Sequence, residues 1–377
     1  MRIVVGLLLL AGCDQLFGID TVPLHDAALV DMPSSDAGQE CIGGVLFEVC
    51  YDPATVPTTF PGSAIDTSTA AQCTQMRAGT PPVCIVIAKQ IDIETSLRIV
   101  GPNPVAIVSA SDLRIAAGGI IDVSSGGGTI PSPGAGADTG PCTTADGETQ
   151  VVTANHAGGG AGGSFGGNGG DGGIGESTSA RAQPAPVDES NLHGGCPGGR
   201  GGAKGVAQKA RGGHGGGAVY VVAKGAILID GRINANAERG YGGTATLNNE
   251  FPGGGGGGAG GMIVIDADMV AVNMAASLVA NGGGGGGGAD GTMKGLDGND
   301  GAAAGAGGGT GGGSGMSIGG AGGTGSSRNM PAGTPGQPGG ALQGGGGGGG
   351  GGAGYIHIYG AHSKAVSPSA NVSPNPS

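Results

Sequence analysis

The chain of 377 residues has no tryptophan, and five Phe and five Tyr are its only other large aromatic residues. So few rings leave little from which to build the stacking platforms that hold single-stranded nucleic acid. Cations are scarce as well: 16 Lys and Arg stand against 28 Asp and Glu, a net charge of −12, so a phosphate backbone is not an expected partner. Nowhere do two cysteines stand in a C-x-x-C spacing, which removes the commonest zinc-binding patterns; the nearest mixed pair is His193 with Cys196. The apolar run near the N-terminus, Ile3 to Leu10, falls well short of the roughly 20 residues that span a bilayer as a helix.

Glycine dominates what is present. With 94 Gly and 22 Pro, nearly a third of the chain belongs to the two residues that mark low-complexity or disordered sequence. Collagen is excluded, because glycine falls in unbroken runs such as Gly344 to Gly352 with no G-X-Y period along the chain. The distribution is uneven: residues 1–100 hold 8 Gly and the remaining 277 hold 86. Two compositional regimes share one polypeptide.

The apolar run behind Arg2 reads as the hydrophobic segment of a secretory signal. It ends in Leu10, Ala11, Gly12 and Cys13, which resembles the lipobox of bacterial lipoproteins. That resemblance implies cleavage before Cys13, acylation of its thiol and amine, and a stable membrane anchor of two or more acyl chains. Cleavage would take the net charge from −12 to −13, so the lipid rather than headgroup attraction would do the anchoring. Asp14, directly after the lipidated residue, matches the inner-membrane retention signal of enterobacteria; sorting rules differ between lineages, and inner and outer membrane both stay open. The expected division is a signal peptide over 1–12, the lipidated Cys13 with an acidic tether over 13–40, a disulfide-containing cap over 41–82, a repeating β region over 83–360 and a disordered tail over 361–377.

Seven cysteines are present, and committing Cys13 to lipid leaves an even six. In an exported protein these are expected to pair. Sequence proximity selects Cys41 with Cys50, Cys73 with Cys84 and Cys142 with Cys196, among the 15 connectivities that six cysteines allow.

A repeat emerges from residue 83. Val83, Ile85, Ile91, Ile93, Leu97 and Ile99 set apolar offsets that recur 22 residues on at Val105, Ile107, Leu113, Ile115 and Ile121, with Gly119 the one failure. The frame returns at Val219, Val221, Ile227, Ile229, Ile233 and Ala235, and again at Met262, Val264, Val270, Val272, Ala276 and Leu278. Pairs at i and i+2 are short strands with one apolar face, and a unit of three such strands buries that face only by stacking on a copy. The expected fold is all-β, a parallel β-helix-like solenoid of about four 22-residue coils; a sandwich of hairpins is the alternative, and four matching frames favour the solenoid. Tyr355 to Tyr359 reads as a closing strand.

The glycine then falls into insertions at 124–217, 239–261 and 282–354, all leaving from the same corner. Gly253 to Gly258, Gly282 to Gly288 and Gly344 to Gly352 abut strands, which suggests extended polyglycine-II-like chains; disorder is the competing outcome, since ordering glycine is costly in entropy. Tyr220, Leu228 and Ile263 are apolar where the first coils place Asp92 and Arg114 outward, so something is expected to cover them. A lipobox followed by glycine-rich stretches and short apolar strands resembles the Gly-rich lipoproteins and surface proteins of bacteria such as myxobacteria. The composition is also similar to that of the mycobacterial PGRS-type repeat proteins, without the PE domain that precedes those repeats. The resemblance implies a cell-envelope location and no defined activity.

Catalytic and metal signatures are thin. Gly213, His214, Gly215 reproduces the G-H-G of polygalacturonases, but glycine this frequent produces such triplets by chance. The accompanying N-T-D and D-D motifs are missing, and glycoside hydrolysis needs paired carboxylates. Gly166 to Asp171 and Gly285 to Asp290 match the start of a calcium-binding nonapeptide but fail at Gly173 and Thr292, which leaves Asp171, Asp290, Asp297 and Asp300 as weak calcium candidates. The leading expectation is therefore a membrane-anchored envelope protein with a structural or adhesive role. It would use no cofactor and catalyse nothing, and its partners would be the membrane, through Cys13, and envelope polysaccharide or other surface proteins. The competing classes are a carbohydrate-active β-helix enzyme and a weak calcium-binding module.

Overall fold

The structure, a computed structural model, describes residues 38–58, 60, 63–126, 132–147, 156–175, 191–203, 209–244, 250–290, 292–303, 307–315, 318–340 and 344–376. The expected signal peptide, Cys13 and most of the acidic tether lie outside these residues. Among the described residues the regular structure is β-strand, apart from one 3-10 turn at Ala70–Gln72. An N-terminal hairpin pairs β1 (Glu40–Gly43) with β2 (Glu48–Tyr51), and short strands β3 (Ala64–Asp66) and β4 (Gln75–Arg77) follow. Next come β5 (Val83–Ala88), β6 (Ile91–Ile93), β7 (Ser96–Val100), β8 (Val105–Ser109), β9 (Leu113–Ile115) and β10 (Ile120–Asp122). The C-terminal strands are β11 (Ala218–Ile229), β12 (Arg232–Asn234), β13 (Met262–Val272), β14 (Ser277–Val279), β15 (Tyr355–Val366) and β16 (Asn371–Ser373).

Two sheets form. One runs β16-β14-β12-β10-β7-β3 and is parallel throughout; the other runs β15-β13-β11-β8-β5 in parallel, with β4 antiparallel at its edge and β6 and β9 extending it beside the second half of β11. Parallel strands this close in sequence need a partner from the next pass of the chain, and the apolar i, i+2 pairs supply the face that makes the stacking favourable. Ile65, Ile99, Ile107, Ile121, Ile229, Ile233 and Leu278 fill the space between the two sheets at 0–1% exposure, each burial contributing about 1.5–3 kcal/mol.

The 22-residue frame describes the middle strands and slips elsewhere. Ile91 pairs with Leu113, Ile227 with Leu113, and Val270 with Ile227, as the frame requires. In the first strand of the unit, however, Cys84 and Val86 align with Val105 and Ile107, and Ile263 aligns with Val219. Val83, Ile85, Met262 and Val264 consequently face away from the core they were expected to line. The cause is corner length: the step from Ser109 to Leu113 is one residue longer than that from Ala88 to Ile91, and β11 carries an additional residue between Ala223 and Ala226 relative to Ala267 and Met269 of β13, a bulge held by Asp112 Oδ1 accepting from Ala226 N at 2.7 Å. One such residue turns every side chain before it to the opposite face.

That opposite face is covered. Tyr220, fully buried, meets Phe47 edge-on at 5.1 Å, and its hydroxyl donates to Asp266 Oδ2 at 2.6 Å. Burial is the main reason its phenol is held above its ordinary pKa. Leu228 is half-buried, whereas Ile263 belongs to the inner core. The expected disordered tail is also corrected: β15 continues to Val366 and β16 pairs in register with β14, because Val372 has a buried place beside Leu278.

The glycine-rich segments are ordered among the described residues, and their backbone hydrogen bonds follow a three-residue period, the period of polyproline II geometry. Residues 344–354 make this explicit. Gly345, Gly348 and Gly351 donate to the carbonyls of Ala289, Gly286 and Gly283; Gly346, Gly349 and Gly352 to those of Ala157, Gly160 and Gly163; Gly347, Gly350 and Ala353 to those of Gln337, Thr334 and Pro331, all at 2.8–3.0 Å. Carbonyls of the same segment accept from 254–260, 167–173 and 320–326. This chain therefore has six neighbours, and the segments centred on 253–260 and 282–289 are surrounded in the same way. A Cβ on Gly286 would overlap the carbonyl oxygen of Tyr241, and one on Gly348 that of Gly255, so side chains are excluded from the interior. Outer chains face neighbours on fewer sides. In 295–301 only Gly295, Gly298 and Gly301 are buried, with Leu296, Asp297 and Asn299 exposed between them.

Lattice and sheets join at one seam. The chain enters glycine-rich sequence after β10, β12 and β14 and returns at β11, β13 and β15. At the exits Asn236 Oδ1 accepts from Asn281 N at 2.7 Å, Asn281 Oδ1 accepts from the Ser373 hydroxyl at 2.6 Å, and Ser326 Oγ accepts from Gly282 N at 2.8 Å.

Candidate functional site

The disulfides Cys41–Cys50, Cys73–Cys84 and Cys142–Cys196 are the pairs that sequence proximity selects. Bonding of Cys196 to Cys142 removes it as a zinc ligand beside His193. This third bridge also fastens the segment around Thr144 and Asp146 to the one around Pro197 and Arg200, two walls of a pocket of about 310 Å³. Asp138, Arg211, Gly212 and His214 complete the lining.

The polar residues of this pocket arrive there through the three-residue period. Arg211 and His214 stand three apart, as do Glu238 and Tyr241, so each pair projects from one edge of its chain. The two chains are joined by Glu238 N donating to His214 O at 2.9 Å and Tyr241 N donating to Arg211 O at 3.0 Å. Asp138 reaches the same place from a tight turn after β10 and is the only non-glycine described residue with a left-handed backbone, φ 63°. Such a conformation costs of order 1–3 kcal/mol and persists where the surroundings over-determine it. Here they do: Asp138 N donates to Gly195 O at 3.1 Å, and its carboxylate accepts from Gly215 N at 2.9 Å and faces His214 Nδ1 at 2.6 Å.

Glu238 is fully buried. Its carboxylate is compensated by Arg211 Nη2 at 2.5 Å, the Tyr241 hydroxyl at 2.5 Å and His214 N at 3.0 Å, as burying a charge demands. Arg211 also lies over the Tyr241 ring at 4.6 Å. The hydrogen bond that His214 makes to Asp138 raises the His214 pKa above its ordinary value, with burial opposing it, and burial pushes the Tyr241 phenol up to about 12. The arrangement holds the His214 ring against the Asp138 carboxylate in the lining of a cavity to which Arg200 and Arg211 also contribute.

In the sequence His214 is part of a chance triplet, and Asp138, Arg211 and Glu238 belong to no catalytic motif. The signal that could have found three of these is the phase of R-G-G-H and E-R-G-Y, polar residues three apart in glycine. The calcium candidates are not brought together. Asp290 caps its own turn, accepting from Thr292 N at 2.9 Å and Met293 N at 2.6 Å; Asp297 accepts from Gly242 N at 2.9 Å; Asp300 pairs with Arg239 at 3.4 Å; Asp171 lies on the outer edge of 167–175. Among the described residues the one converging group of potential metal ligands is Cys41, Glu48 and Cys50, whose cysteines are bonded to each other. Comparison of the chain with models of known protein families, with curated proteins and with solved structures finds no match.

Proposed function

We propose that this chain is an exported, lipid-anchored envelope protein with a structural or adhesive role and no catalytic one. On this reading β5 to β7, β8 to β10 and the later strands are successive turns of a β-helix-like solenoid, and the glycine segments form a polyglycine-II-like body beside it. The observation that carries the proposal is the six-neighbour glycine chain: its shape is held by backbone bonds alone and presents the period-three edges outward. Three disulfides suit an oxidising compartment. The Asp138–His214 pair at a pocket is what favours the competing reading, a carbohydrate-active enzyme.

Two measurements test this. Cys13→Ala in a bacterial host should move the protein from the membrane fraction to the soluble one, and retention in the membrane would overturn the anchor. Purified protein should bind to one or more of a panel of uronic-acid and neutral polysaccharides without releasing reducing ends. Robust release would establish the enzyme instead.

A further inference from the structure

The pocket beside His214 is charged asymmetrically. Arg211 is bound to Glu238, and Lys209 stands 3.8 Å from Asp146, whereas Arg200 is exposed and among the described residues is held only through its backbone, its N donating to Asp146 Oδ1 at 2.7 Å. When His214 is protonated, Nδ1–H donates to Asp138, and Nε2–H stands 3.5 Å from Arg211 Nη1. Two donors at that separation cannot satisfy one another, and an acceptor oxygen placed before them satisfies both.

We propose that this pocket binds a small, singly charged oxyanion, a carboxylate or sulfate group on a polar carbon skeleton, held by His214, Arg211 and Arg200. The volume of about 310 Å³ lies at the lower end for small-molecule sites. Thr144 offers a hydroxyl to the skeleton, and Pro197, Gly198 and Gly212 give it uncharged walls. Asp138 and Asp146 line the same pocket and Glu238 lies behind it, so a doubly charged anion meets repulsion that a singly charged one overcomes. Binding weakens as pH rises and His214 loses its proton, a loss that the facing groups Asp138 and Glu238 delay and Arg211 advances. The inference needs neither the lipid anchor nor the envelope location and survives the failure of either.

Calorimetric titration of the full chain, purified in detergent, with D-glucuronate, glucose 6-sulfate, glucose and inorganic phosphate at pH 6 and pH 8 decides it. Saturable binding of glucuronate or glucose 6-sulfate at pH 6, at least tenfold weaker at pH 8, with none for glucose, is expected; the anion that binds identifies the group. Arg200→Ala, a surface change that should leave the melting temperature in place, is expected to lower affinity at least tenfold. Absence of saturable binding by either sugar anion at pH 6, full affinity in Arg200→Ala, or tighter binding of phosphate at pH 8 than at pH 6 would overturn the proposal.

Discussion

The two halves of this molecule satisfy the same backbone in opposite ways. In the sheets, side chains carry the stability: Ile229 is fully buried and aligned with Ile115 and Val272 in the neighbouring strands, and the hydrogen bonds follow from stacking those apolar faces. In the glycine lattice the side chains are what must be missing, because Gly286 and its neighbours approach foreign carbonyls more closely than a Cβ permits. A sheet is specified by what its residues bury. The lattice is specified by how near its backbones come, which explains why glycine, costly to order, is nevertheless required in its interior.

The largest expected effect breaks the sheet side of this contrast. Ile229→Asp places an unpaired carboxylate between the sheets and should cost more than about 5 kcal/mol, enough to abolish cooperative unfolding. An unchanged urea midpoint would refute the inward placement of Ile229. Next comes the crosslink within the glycine-rich half: replacing Cys142 and Cys196 by Ser releases a loop with a sequence separation of 54 and should destabilise by about 4 kcal/mol on the chain-entropy model. Thermal unfolding of the double variant measures it.

The lattice itself is probed by a matched pair. Gly286→Ala, in a chain with six neighbours, should cost about 1–3 kcal/mol by overpacking, whereas Asn168→Ala on an exposed edge should stay within about 0.5 kcal/mol. Equal losses would mean that interior and edge are not distinguished as described. The smallest effect is a pH dependence. Because Asp138 holds the folded-state pKa of His214 above its ordinary 6.5, the pair's contribution is fully present below that value and is lost as pH rises through the raised one. Melting curves across this window should decline for the native chain and flatten in His214→Gln.

How far the sequence could be read depends on where polar residues interrupt it. The middle strands were legible because Asp92 and Arg114 separate the apolar pairs and announce which face is wet. Strand β5 offered no such mark: all six of its residues are buried, Ile85 and Ile87 on one face and Cys84 and Val86 on the other, so its phase could not be told from composition. Glycine follows no G-X-Y period along the whole chain. The period is local and lies in the other residues, in Asn168, Asp171 and Ile174 on one edge and Arg211 with His214 on another.

By itself the sequence determined that the chain is all-β, that an even six cysteines beyond Cys13 are available to pair and that glycine occupies the long connections, since strand alternation, cysteine number and composition are local properties. Only the tertiary structure decided which face each strand turns inward and whether the glycine is ordered. It also brought Asp138 to His214, 76 residues away. Those outcomes depend on a bulge, on six-neighbour packing and on the two ends of one long insertion meeting, and no local pattern encodes such meetings.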